Sequence, residues 1–302
     1  MYSLGIQSIF LEISVMSDVS VNIQPLTLSD IPMAMALKDA EGWNQTPRDW
    51  ELFINTNPSL CLGAKIGGKL VGTVTAISFE NKVAWISMML VHRKFRGRGI
   101  SKMLLKAIIH RLEGCASIKL DATPAGYPVY ESLGFREEYA LARYILELNS
   151  LQFSWEEIMG PIPVSTDHLE EIARWDRAYF GAERKEVLAY LQSQAKHLAW
   201  FMGGTETLKG YVLGRPGTRF TQIGPLVAED VKSANSLLSK AISQVKKGQV
   251  AIDVCMHQKK LVELVENLGF VKQRDLFRMY LKGNSYPGKP ENYFLVAGPE
   301  LG

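Results

Sequence analysis

One pattern occurs twice along the chain, and it restricts the available folds more than any other feature. IKLDATPAGYPVYESLGF (residues 118–135) and VAIDVCMHQKKLVELVENLGF (residues 250–270) share an Asp-bearing strand, an apolar helix and a Leu-Gly-Phe ending. Such self-similarity is the signature of a diverged internal duplication. At 302 residues the length suits two domains of about 150 residues each. In the first half, VNIQPL is a short strand. SDIPMAMALKDAEGW follows as a helix, with Ser29 or Asp30 as cap and Pro32 in its first turn. Thr46, Pro47 and Asp49 then open a second helix. CLGAKI, LVGTVTAISF and NKVAWISMMLV form an antiparallel meander. Ile100, Met103, Leu104, Ala107, Ile108 and Leu112 follow helical spacing. The order is strand, two helices, three strands, helix, strand, helix, strand, and the second half repeats it with Thr166 capping its first helix. The fold class is α/β (α+β): two tandem domains, each a mixed, mostly antiparallel central sheet flanked by helices. The expected boundaries are an N-terminal arm at 1–20, a first domain at 21–150, a linker at 151–165 broken by Pro161 and Pro163, and a second domain with tail at 166–302.

Composition excludes more than it selects. A formal charge of +3, from 34 basic and 31 acidic residues, does not describe a nucleic-acid coat. No apolar run approaches the ~20 residues of a spanning helix, and the N-terminus lacks a secretory signal pattern. Cys61, Cys115 and Cys255 lie far apart, which fits a reducing compartment and gives neither a zinc spacing nor a disulfide framework. A cytoplasmic protein without membrane, nucleic-acid or metal partners is the expectation; the oligomeric state is not legible.

The chemistry concentrates in VHRKFRGRGIS, residues 91–101. A strand ending at Val91 turns into a helix near Gly99, so unpaired backbone N–H groups and the positive end of the helix dipole converge on one spot. That makes an anion site. Gly97 and Gly99 let phosphates approach the backbone, Arg96 and Arg98 add charged donors, and no carboxylate occurs from Val91 to Arg111. Lys102 and Lys106 extend the basic face up the helix. A dinucleotide fingerprint needs a third glycine after a first parallel strand, and a P-loop needs Gly-Lys-Ser/Thr; both are missing. A nucleic-acid arm would require interleaved aromatics, and only Phe95 is present.

These residues resemble the GNAT acyl-CoA-dependent N-acetyltransferases. The likeness runs from about Val21 to Leu148 through the strand order, LVHRKFRGRGIS and YESLGF, with Lys94 where that family usually has Gln or Arg. It implies acetyl-CoA as co-substrate, Leu90 and Val91 against pantetheine, and Arg96, Gly97, Arg98, Gly99, Ile100 and Ser101 around the pyrophosphate. It also implies Tyr130 as general acid. A phenol of pKa about 10 is protonated at neutral pH and can supply a leaving thiolate of pKa about 8.5. Tyr127, one turn earlier, is a substitute. Trp43 and Asn44 fall where the family builds its acceptor pocket, and Glu80 is taken as a further substrate contact. A protonated amine needs a base, for which Glu80, Glu41 and Asp121 are candidates; His92 is read as a strand-end residue.

At the corresponding turn the second half reads GPLVAEDVKSAN, with Glu229 and Asp230 in place of phosphate donors and Val265 at the Tyr130 position. Carboxylates there repel a pyrophosphate. GYVLGRPGTRFTQIGPLVAED, DLFRM and YFLVAGPELG resemble the C-terminal GNAT-like domains carried by some members of the family. That half either walls the acceptor pocket, with Arg215, Arg219 or Arg278 reading a negative group, or acts as scaffold. The expected activity is transfer of acetyl to a primary amine of a small molecule in a ternary complex; the alternative is a non-catalytic acyl-CoA sensor.

Overall fold

The computed structural model describes residues 20–148, 159–204 and 207–302. The expected arm lies outside these residues except at its last position, and the expected linker lies outside them up to residue 158. The first half contains β1 (Asn22–Pro25), α1 (Ile31–Ala40), α2 (Pro47–Thr56), β2 (Cys61–Ile66), β3 (Lys69–Phe79), β4 (Val83–Val91), α3 (Ile100–Arg111), β5 (Ser117–Ala122), α4 (Tyr127–Glu131) and β6 (Arg136–Leu148). The second half repeats that order as β7 (Ile162–Pro163), α5 (Thr166–Phe180), α6 (Lys185–Gln194), β8 (Trp200–Gly204), β9 (Thr207–Arg215), β10 (Thr221–Ala228), α7 (Val231–Ser243), β11 (Gly248–Cys255), α8 (Lys259–Asn267) and β12 (Val271–Lys282). One short strand, β13 (Tyr293–Leu295), follows and has no counterpart in the first half.

The two sheets merge into one of thirteen strands, ordered β1-β2-β3-β4-β5-β12-β6-β11-β13-β10-β9-β8-β7. Each half lends its last long strand to the other. β12 pairs with β5 from Phe277↔Ala122 to Lys282↔Ser117, and β6 pairs with β11 from Gly248↔Leu148 to Cys255↔Leu141.

Three apolar clusters fix the layers. Residues of α1, α2, α5 and α6, among them Trp50, Phe53, Ile172 and Leu188, pack on one face of the sheet in a single core that spans both halves. On the other face α3 covers the first half through Ile100, Leu104 and Ile108, while α7 and α8 cover the second through Leu237, Ala241 and Leu261. Among the described residues no helix is long and apolar enough to cross a membrane.

Local signals act mostly where the residue types demand. Asp49 accepts from Thr46 N at 2.6 Å, closing the capping box that starts α2. Two caps differ in part from expectation. Asp30 stands at the N-cap of α1 as expected, but its carboxylate reaches back to Thr27 N (3.0 Å) and closes a 3-10 turn ahead of the helix, and Ser165 rather than Thr166 caps α5.

Candidate active site

β4 and β5 are paired in parallel only from Val83↔Ser117 to Trp85↔Lys119. Beyond Trp85 they diverge, so the second half of β4 presents an unpaired backbone edge to a V-shaped opening. A bulge lies at that point. Between Thr75↔Ser87 and Thr73↔Leu90 β4 carries one extra residue, and Met88 adopts φ +49°. A bulky side chain in the left-handed region costs on the order of 1–3 kcal/mol and persists only when its surroundings enforce it. Here Thr73 Oγ1 donates to Met88 O at 2.8 Å, and the Thr75 and Ser87 hydroxyls bond at 2.8 Å. The bulge turns four consecutive residues, Ile86, Ser87, Met88 and Met89, toward one cavity of about 280 Å³.

Above the opening lies the glycine turn. Gly97 and Gly99 have φ +77° and +76°, and a side chain at either would meet nothing within 4 Å. Conformation, then, demands glycine, and the space over the backbone is clear. Gly99 begins α3 without a side-chain cap, which leaves the N–H groups of the first turn facing that space. Arg96 is fixed by Glu41 (2.6 Å) and Val91 O (3.1 Å), while Arg98 lies over the Phe95 ring at 5.3 Å. These groups suit a diphosphate, and the free edge of β4 at Leu90 and Val91 suits an extended amide-bearing arm. Ser101 and Tyr130 line the cavity on this side.

Burial pushes the Tyr130 phenol up to about 12, so it stays protonated. Among the described residues its hydroxyl has no hydrogen-bond partner, and its ring meets Phe135 edge-on at 5.9 Å. Tyr127 is turned away and packs edge-on against Phe277.

The three carboxylates considered as bases are all engaged. Asp121 lines the cavity, yet both of its oxygens accept from Arg278, at 2.9 and 3.0 Å. Burial raises its pKa, and the Arg278 charge opposes that shift. Against the cost of burial, hydrogen bonds and charges from Arg96 and Arg93 hold Glu41 below the usual carboxylate range. Glu80 is not brought to the site. It sits in the β3–β4 hairpin, bound by Arg177 (2.6 Å), the Glu183 N–H (3.0 Å) and Lys82 (3.3 Å), and does not line the cavity where a substrate contact was expected. Trp43 and Asn44 do line the cavity. The Asn44 side chain is spent on clasping the second half, however: it donates to Phe220 O (3.0 Å) and accepts from Arg219 N (2.9 Å) and Phe220 N (3.1 Å).

The remaining wall belongs to the second half: Arg219, Phe220, Gln249, Gln273, Arg274, Leu276, Pro299 and Glu300. Trp85 Nε1 donates to Pro299 O at 2.9 Å and holds the tail against β4. Of the three arginines expected to read a substrate charge, Arg215 is bound by Asp49 and Glu300 and Arg278 by Asp121, which leaves Arg219. Glu300 and Arg274 were not foreseen, since nothing near them in the chain marks a site. Among the described residues the second half keeps no such opening between its parallel strands. β10 and β11 pair at Thr221↔Val250 to Ile223↔Ile252, and past that point β13 enters between them, with Leu295 opposite both Leu226 and Val254. Asp230 caps α7 by accepting from Ser233 N at 2.8 Å, and Val265 is core.

A splayed parallel strand pair with a bulge, a glycine turn feeding an uncapped helix, and a protonated tyrosine on the facing short helix are the features of an acyltransferase fold, and among the described residues only the first half has them together. Sequence comparison places it more narrowly. Residues 31–135 match the acetyltransferase (GNAT) family model and residues 172–295 match an acetyltransferase (GNAT) domain model, so the chain belongs to the GNAT acetyltransferases. It is 23% identical over 281 residues to the holothin acyltransferase of Pseudoalteromonas sp. (strain SANK 73390), covering 92% of this chain and 94% of that one. Its fold is similar to that of a Pyrococcus horikoshii protein assigned as an acetyltransferase (TM-score 0.78, 24% identity, 93% and 96% coverage). It is also similar to a tandem GNAT protein from the clavulanic acid biosynthesis pathway (TM-score 0.60, 16% identity, 88% and 100% coverage).

Proposed function

We propose that this protein transfers the acetyl group of acetyl-CoA directly to a primary amine of a small molecule while both are bound. The observation that carries this reading is the cavity itself: it runs from Ser101 and Tyr130 below the glycine turn, past the β4 bulge, to a wall built by the second half. Acetyl-CoA would supply an activated thioester. The chain's own part is to bind the diphosphate at Arg96 to Ser101, to align the carrier along Leu90 and Val91, and to donate the Tyr130 proton to the departing sulfur. Direct transfer fits the thiols, since burial pushes Cys61 and Cys255 up to about 12, far from a reactive thiolate.

An attacking amine must arrive neutral. Glu300 is the carboxylate best placed to take its proton, because it lines the cavity and shares a single guanidinium, Arg215, with Asp49. A volume of about 280 Å³ lies just below the ~300–1,000 Å³ typical of ligand sites, which favours a compact acceptor over a polypeptide end.

The test is thioester consumption by the purified chain with acetyl-CoA and a panel of amino acids, amines and polyamines. Steady release of thiol with at least one amine, matched by one acetylated product, is expected. Binding of acetyl-CoA without turnover on any amine would make the protein an acyl-CoA sensor instead.

A further inference from the structure

The charged groups around the cavity do not balance, and the imbalance is local. Asp121 is matched by Arg278 and Arg143 by both oxygens of Asp253 (2.8 and 2.7 Å), while Glu300 shares Arg215 with Asp49, which leaves one negative charge on that side of the cavity. Two lining cations are left without a carboxylate partner among the described residues: Arg274 and, exposed at the edge of the cavity, Arg219. Arg274 is the costlier one. Its Nε is closed to solvent and has no hydrogen-bond partner. The neighbouring Asp275 is turned to Lys272 at 2.5 Å and offers it nothing. Arg143 lies opposite Arg274 across the β12–β6 pair. Burial first, and the Arg143 charge second, depress Arg274 to about 10 against a smaller opposing pull from Asp253, which still leaves a full cation at neutral pH.

The backbone is shaped to hold it there. Lys272 pairs with Tyr144 and Arg274 with Arg143, so Gln273 is an extra residue in β12. That bulge brings both Gln273 and Arg274 to the cavity wall, where strand alternation would send one to each face. An ionic group without a partner, half-withdrawn from water, lowers stability unless a ligand supplies the counter-charge.

We propose that Arg274, assisted by Arg219 and the side-chain amides of Gln273 and Gln249, is a subsite for an acidic oxyanion of the acceptor. The acceptor is then a short amino acid, with its amine toward Glu300 and its acid toward β12. This assignment rests on the N-acetyltransferase reading and narrows it.

Matched pairs test it: glycine, β-alanine and γ-aminobutyrate against their carboxamides, with wild-type, Arg274→Gln and Arg274→Lys chains. A charge-assisted contact of this kind corresponds to a preference of about 10- to 100-fold in kcat/KM for the acid of at least one pair. Arg274→Gln should lose that preference by slowing the acid far more than the amide, with acetyl-CoA affinity retained and the ligand-free Tm raised, and Arg274→Lys should restore part of the preference. Equal use of acid and amide, or a preference that survives Arg274→Gln, overturns the subsite. If no amine consumes thioester, the transferase reading is what fails, and titration of N-acetyl-β-alanine and N-acetyl-β-alaninamide into coenzyme A-saturated protein decides the subsite. Tighter binding of the acid that Arg274→Gln removes sustains it; equal or undetectable binding of the acid overturns it.

Discussion

Asp121 stands out in the sequence as a strand carboxylate ahead of a tyrosine-bearing helix, and that position alone makes it a candidate base. What the chain order hides is Arg278, 157 residues on, which grips both carboxylate oxygens and donates to Tyr139 Oη at 2.6 Å while lying 4.4 Å from the Trp85 ring centroid. A charge so held is structural, and removing it leaves the guanidinium buried without a partner. Asp121→Asn should therefore cost about 3–5 kcal/mol of stability, measured by denaturant unfolding, and joint Asp121→Asn, Arg278→Met replacement should recover much of that. A catalytic base would behave otherwise, with kcat collapsing at unchanged stability. Tyr130 gives the complementary case, because the resemblance proposes it as proton donor and its residue type and buried phenol agree with that proposal. With its pKa raised to about 12 the phenol is protonated at every lower pH, so it remains a loaded donor as the amine sheds its proton. The rate should rise with pH through the amine's titration and show no alkaline fall from Tyr130 below about pH 11. Tyr130→Phe should lower kcat by about 10²- to 10⁴-fold with acetyl-CoA affinity kept, and a change of less than a few fold would reduce Tyr130 to a packing residue.

At the scale of elements, the two halves differ at the place proposed to hold the thioester carrier. Both have a short parallel pairing that then splays, β4 with β5 and β10 with β11. The first opening stays clear beside a glycine turn; the second is closed by β13, and its helix is capped by Asp230. Calorimetry should accordingly give one acetyl-CoA per chain. Gly97→Val should abolish that binding at a stability cost of about 1–2 kcal/mol, because the added Cβ meets no protein atom within 4 Å and the strain comes from φ. Two sites per chain, or undiminished binding in the variant, would contradict the assignment of the turn. Hydrophobic spacing and the glycine pair made the repeated elements and this turn legible. β13 was not, since Tyr293–Leu295 is three residues long and its strand character comes from the slot that receives it. The bulges at Met88 and Gln273 were invisible for a similar reason: register is a property of two strands, and neither sequence states it alone.

For the molecule as a whole, the exchange of β6 and β12 turns two domains that can be read separately into one folding unit. Six residue pairs join β12 to β5, nine join it to β6, and eight join β6 to β11. A chain ending near residue 155 would keep β5 and β6 but lose the strand between them, exposing two long edges and apolar side chains on both faces of β6, Leu141 on one and Tyr144 and Leu146 on the other. Unpaired edges of that length aggregate. The first half alone is expected to be insoluble or without fixed tertiary packing, so its loss of activity would say nothing about the acceptor site. Expressing residues 1–155 and 156–302 together is the informative form of the experiment. The halves should copurify one to one and recover acetyl transfer, because each offers the other a strand-wide gap and the cavity needs Arg274 and Glu300 beside Tyr130. The intact chain should melt in one calorimetric transition, with van't Hoff and measured enthalpies in agreement. A soluble, cooperatively folded first half, or two resolved transitions in the full chain, would show that the exchanged strands do not couple the halves and that the shared cavity is a contact between independent domains.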